Sequence, residues 1–102
     1  MNHEMFAIYD AAAGCYRSPM HMKSAGLAIR AFTDAVNAKD NELSAHPEDF
    51  TLFRVGTFDD DTGEVTAFKP TPMKVMTALE VVAQRGDDHP DLFPQPGGSK
   101  NA

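Results

Sequence analysis

The sequence predicts an α+β domain: a four-stranded antiparallel sheet built from two β-hairpins, with one or two helices packed on it in the order ββαββα. Two stretches carry that prediction. From His46 to Val65 the chain reads HPEDFTLFRVGTFDDDTGEV. Here Phe50, Leu52, Phe53, Val55, Thr57 and Phe58 are aromatic, branched or large apolar residues, crowded too closely for an amphipathic helix and suited to a pleated, partly buried surface. From Ser24 to Ala38 it reads SAGLAIRAFTDAVNA, where Ile29, Phe32 and Val36 recur at helical spacing and Ala28 and Ala35 fill the same side.

In chain order, Met5 to Asp10 reads as a first strand with Phe6 and Ile8 on one side and Ala7 and Tyr9 on the other. Ala11 to Gly14 connects it to an irregular strand from Cys15 to Met22. Pro19 has no amide proton for an interior ladder position, so this strand is an edge or is bulged. Ser24 is the expected cap of the first helix, whose outer side carries Arg30, Thr33, Asp34 and Asn37. Lys39 to Glu48 reads as a polar connection closed by His46-Pro47. Asp61-Thr62-Gly63 supplies the hairpin turn, and Glu64 to Phe68 resumes the extended pattern. Pro70 and Pro72 interrupt the ladder. Met73, Met76, Ala78, Leu79, Val82 and Ala83 then recur at helical intervals, which predicts a second helix capped at Thr71, ending near Arg85 and stopped by Gly86. These elements make one domain, residues 1–85, and the Pro- and Gly-rich stretch 86–102 is expected to be a disordered tail.

Composition narrows function by exclusion. With 102 residues and 42% hydrophobic content the core is modest, and self-association into a homodimer or higher oligomer would help it. A net charge of −6 argues against a polybasic sheath for duplex DNA or an anionic membrane, because phosphate binding is driven by Lys and Arg displacing counterions. The acidity is concentrated in Asp40, Glu42, Glu48, Asp49, Asp59, Asp60, Asp61 and Glu64, which leaves room for a basic face elsewhere. Cys15 is the single cysteine, so no intrachain disulfide forms and a reducing compartment is expected. No basic-then-apolar leader opens the chain and no run of about 18 apolar residues occurs, so a cytosolic, non-membrane protein is expected.

No catalytic or cofactor motif is found. Asp59, Asp60, Asp61 and Glu64 offer oxygen ligands, but the alternating calcium-loop pattern is missing and a solvated turn is the better reading. His3, His21, His46 and His89 lie on different elements without paired metal-ligand spacing. Cys15 has no nucleophile signature around it, and Gly14, Gly26 and Gly56 are isolated, so no phosphate-cradling loop can be drawn. No enzyme, metal or cofactor is expected.

Single-stranded DNA is the ligand the residues best accommodate. Bases stack on aromatic rings while a few cations follow the backbone. Phe6, Tyr9, Tyr16, Phe53 and Phe58 lie on predicted strands, and Arg17, Lys23, Arg30, Arg54, Lys69 and Lys74 are available cations. Tyr9, Tyr16, Arg17, Lys23 and Arg54 are the expected contacts, the tyrosines ahead of the phenylalanines because a Phe is more often core. The competing expectation is an acidic adaptor that engages a basic protein partner through the Asp-rich hairpin and the DLFPQP segment of the tail.

The order IYD, irregular strand, SAGLAIRAFTDAVN, HPEDFTLFRVGTFDDDTGEV and PTP with a hydrophobic helix resembles the small non-structural protein of gokushoviruses, single-stranded DNA phages of the microvirus family. The resemblance spans Met5 to Val82 and is most specific at Ala28 to Phe32 and His46 to Glu64. It implies a non-enzymatic DNA-binding accessory protein in the host bacterial cytoplasm that helps turn duplex replication toward single-strand synthesis and packaging, and in that setting the partner expected of the competing adaptor is a host replication factor or a phage assembly protein. The tail after Gln84 and the methionines Met20, Met22, Met73 and Met76 depart from the family pattern.

Overall fold

This computed structural model describes residues 1–87. Strand β1 (Asn2–Asp10) turns at Ala11 to Gly14 into the two-residue β2 (Cys15–Tyr16). Three alanines are poor turn residues, and the turn is made by its neighbours. Asp10 Oδ1 accepts from the backbone N–H groups of Ala12 and Ala13 at 3.0 and 3.2 Å, and Gly14 takes the left-handed conformation at φ 73°. Pro19 then breaks the ladder, and β3 (Met20–Met22) resumes against β1 at Glu4 to Phe6. The irregular strand of the first hairpin is therefore two short strands.

Helix α1 (Ala25–Asn37) begins where Ser24 Oγ accepts from the Leu27 N–H at 3.3 Å. The expected polar connection contains a one-turn helix, α2 (Glu42–Ala45), capped by Asn41, whose Oδ1 accepts from the Ser44 N–H. A single 3₁₀ turn (Pro47–Asp49) leads into β4 (Phe50–Asp59). Apolar Leu43 explains the extra helix: it is buried in the core between otherwise polar neighbours.

β4 pairs with β1 along its whole length and with β5 (Val65–Ala67) across the Asp-rich turn, where Gly63 has φ 78°. Beyond Pro70 and Pro72 the chain corrects the expected helix start. Met73–Thr77 is strand β6, paired with Thr51 to Arg54, and α3 starts only at Ala78 and runs to Asp87. Thr77, not Thr71, is the cap: its Oγ1 accepts from the Glu80 N–H at 3.1 Å while Glu80 Oε1 accepts from the Thr77 N–H at 2.7 Å. This is a reciprocal capping box. The tail, including the DLFPQP segment, lies outside the described residues.

The result is an α+β fold: one antiparallel sheet with β1 and β4 at its centre and each flank made of a proline-broken pair, β2 and β3 beside β1, β5 and β6 beside β4. Phe6, Phe50 and Leu52 of the sheet pack with Ala28, Phe32 and Val36 of α1, Leu43 of α2 and Ala78 and Val81 of α3. Burying each of the larger apolar side chains contributes about 1.5–3 kcal/mol. Every helix among the described residues lies on this side, and among these residues the opposite side of the sheet is open.

Candidate nucleic-acid interface

Side chains along a strand alternate between the two faces, and directly paired residues share one. Phe6, Ile8 and Leu52 belong with the helices, which sends Glu4 and Asp10 of β1 the same way. His3, Met5, Ala7 and Tyr9 then face the open side. The register extends that face across the sheet: Tyr16 is opposite Tyr9, His21 opposite Met5, Phe53 opposite Ala7, Phe58 opposite His3, and Lys74 opposite Phe53. A bulge leaves Val55 unpaired between Arg54 and Gly56 and keeps Phe53 and Phe58 on one face despite their odd spacing.

The rings on this face form two groups. Tyr9, Tyr16 and Phe53 meet edge to face, with centroids 4.9 Å apart for Tyr9 and Tyr16, 5.5 Å for Tyr16 and Phe53, and 6.3 Å for Tyr9 and Phe53. Tyr16 is 42% exposed. At the other end of β1, His21 stacks on Phe58 at 5.9 Å and 27°, and the His3 ring meets His21 edge-on at 5.9 Å. None of the strand residues that face this way among those described is acidic. Glu4, Asp10 and Asp59, the carboxylates within the strands, all alternate to the helix side, while Lys74 supplies a cation beside Phe53.

The five residues expected to touch nucleic acid are thereby divided. Tyr9 and Tyr16 are brought together on the open face, and Lys23 is exposed in the bend between β3 and α1. Arg17 and Arg54 are not with them. Arg17 pairs with Glu42, lies 3.7 Å from Asp10 and stacks 4.9 Å over the Phe50 ring; the Glu42 hydrogen bond raises its pKa further. Arg54 pairs with Glu4 and lies 4.7 Å over the Phe68 ring. Each guanidinium joins elements on the helix side, Arg17 tying β2's end to α2. Phe6 is fully buried. Phe53, Phe58 and Lys74 are the residues that alternation adds, together with His3 and His21, whose place depends on a cross-strand register invisible in sequence.

The Asp-rich turn is engaged within the chain. The Met1 ammonium lies 2.9 Å from Asp60 and 3.1 Å from Asp61, and His3 Nε2 lies 2.8 Å from Asp60. The Asp60 carboxyl is held below its ordinary value by the His3 and Met1 contacts, and Asp59 is held down chiefly by the Asp61 backbone N–H. The carboxylates of Asp59, Asp60 and Asp61 lie close enough together to share a cation, and the ammonium already supplies one. Among the described residues no helix is long and apolar enough to cross a membrane.

Comparison with known proteins places the same segment in a phage family. Its sequence profile, described as Phage ORF5 protein, matches residues 3–81, from β1 into the first turn of α3. No curated protein and no solved structure matches the chain. The match covers most of the chain and every strand of the sheet, so this chain belongs to the Phage ORF5 protein family.

Proposed function

We propose that this protein is a non-enzymatic gokushovirus accessory protein that binds single-stranded DNA in the host cytoplasm, as a homodimer or higher oligomer, and aids the turn from duplex replication to single-strand synthesis and packaging. Membership in a phage family supports the setting. The resemblance to gokushovirus non-structural proteins supports the narrower one.

The open sheet face carries the binding reading. In a chain of net charge −6 it joins partly exposed rings with Lys74 and directs the strand carboxylates away. Stacking on such rings is worth roughly 1–3 kcal/mol per base and tolerates any sequence. Tyr9, Tyr16 and Phe53 act as the stacking platform. Lys23 and Lys74, the latter near enough for its charge to act on Glu80, are the cations that follow the backbone, whereas Arg17 and Arg54 hold the scaffold.

Fluorescence anisotropy with a labelled oligothymidine at low and high salt tests the proposal. Binding is expected at low salt, weakened by added salt, and Tyr16→Ala is expected to lower affinity by about 5- to 150-fold. Absence of binding to an unstructured oligonucleotide at low salt would overturn it.

A further inference from the structure

Resting on that reading, we propose that His3, His21 and Phe58 form a second stacking station for the same DNA strand, which therefore runs lengthwise along β1 and β4. This ring group sits on the same face as Tyr9, Tyr16 and Phe53, at the opposite end of the central pair of strands. No helix covers it. His21 is exposed and lies nearly parallel to Phe58, presenting the outer face of an imidazole to solvent. His3 is fixed by its hydrogen bond to Asp60, so its ring is already ordered before a ligand arrives.

The stretch between the stations suits a passing strand. Its solvent-reaching residues are half-buried Met5 of β1 and exposed Ala67 of β5, over a floor of buried Ala7 and Gly56, all uncharged and, apart from Met5, small. At the His3 end the carboxylates of Asp59, Asp60 and Asp61 cluster on the turn, where the Met1 ammonium lies against all three and His3 holds Asp60. His3 and Tyr9 are separated by six positions of β1, about 20 Å at the rise of an extended strand. A stacked nucleic-acid strand advances about 3.4 Å per nucleotide, so roughly six nucleotides reach both stations and a stretched strand needs fewer.

Two oligonucleotide lengths and three variants separate this inference from the reading beneath it. Titration with (dT)3, which reaches one station, and (dT)10, which reaches both, is expected to show at least a tenfold gain in affinity for the longer strand. His21→Ala and Phe58→Ala are expected to remove most of that gain and to change (dT)3 binding by less than about twofold, because one station then suffices. His21 is exposed, so its variant keeps the test interpretable if Phe58→Ala unfolds. Retention of the full gain in a folded His21→Ala protein would overturn the second station, while a loss of (dT)3 binding in Tyr16→Ala would keep the first. No binding of either oligonucleotide by the wild-type protein would overturn both.

Discussion

The two faces of the sheet are built from the same strands and have opposite chemistry. On the helix side Phe6, Phe50 and Leu52 make the core, and around its margin Arg17 and Arg54 are neutralised by Glu42, Asp10 and Glu4 and stacked on Phe50 and Phe68. On the open side lie two ring groups and a lysine with no acidic neighbour on the strands. Net charge therefore says little about a surface this small: alternation by one residue decides whether a carboxylate meets a ligand or an arginine.

The comparison breaks most decisively if the helix side does not hold the fold together. Leu52→Ala removes a fully buried side chain at the centre of the core and is expected to cost about 2–5 kcal/mol. Thermal unfolding followed by circular dichroism should register a fall of roughly 10 °C or more for a domain of this size. Tyr16→Ala, on the open side, should move the midpoint by far less. Equal losses would mean that both faces are core.

Gly56 tests the boundary between the ring groups. A Cβ there would lie 2.3 Å from the Thr66 carbonyl oxygen, backbone against backbone, so β5 would have to move away. Gly56→Ala is expected to cost about 1–3 kcal/mol and to speed amide exchange in β5 more than in β2 or β3. Uniform protection would show that β5 has room to spare.

Two cations sharpen the contrast with a smaller effect. Lys74→Ala should weaken DNA binding and lower the slope of log affinity against log salt by about 0.7, the value for one phosphate contact on a single strand. Arg54→Ala should leave that slope unchanged and reduce stability by about 1 kcal/mol, the range of a partly exposed ion pair. If instead Arg54→Ala flattens the slope, the guanidinium leaves Glu4 for the phosphates and the division between faces is wrong.

Much of this arrangement is readable from the chain. The Ser24 cap and the Ala28, Phe32 and Val36 stripe define α1, and the prolines mark where both outer strands break. Tyr9 and Tyr16 emerge as surface rings because their neighbours Phe6 and Ile8 take the core. Arg54 shares its parity with Leu52, so its turn toward the helices was legible, although residue type drew attention to its charge first. Arg17 follows a two-residue strand and could not be assigned a face. Met73 to Thr77 misleads because Met, Val and Met fit a helical stripe and a strand equally well over so short a run. The deciding signal was Thr77-Ala78-Leu79-Glu80, a capping-box pattern that starts the helix six residues after Pro72.

That pattern makes the smallest and most local prediction. The Glu80 carboxyl is held below its ordinary value of 4.5, first by the Thr77 backbone N–H it accepts from and further by the charge of Lys74. A carboxylate whose folded pKa is depressed adds stability above its unfolded pKa and loses it as pH falls through the folded value. Urea unfolding of the wild type and Glu80→Ala should thus differ at neutral pH, and the difference should shrink as pH drops below about 4.5 toward the folded pKa. Thr77→Ala should weaken the same helix start at every pH, by about 1 kcal/mol, because a hydroxyl cap does not titrate in this range. A Glu80→Ala difference that persists unchanged into acid would show that the side chain acts by packing. The ionised half of the box would then contribute nothing to starting α3 at Ala78.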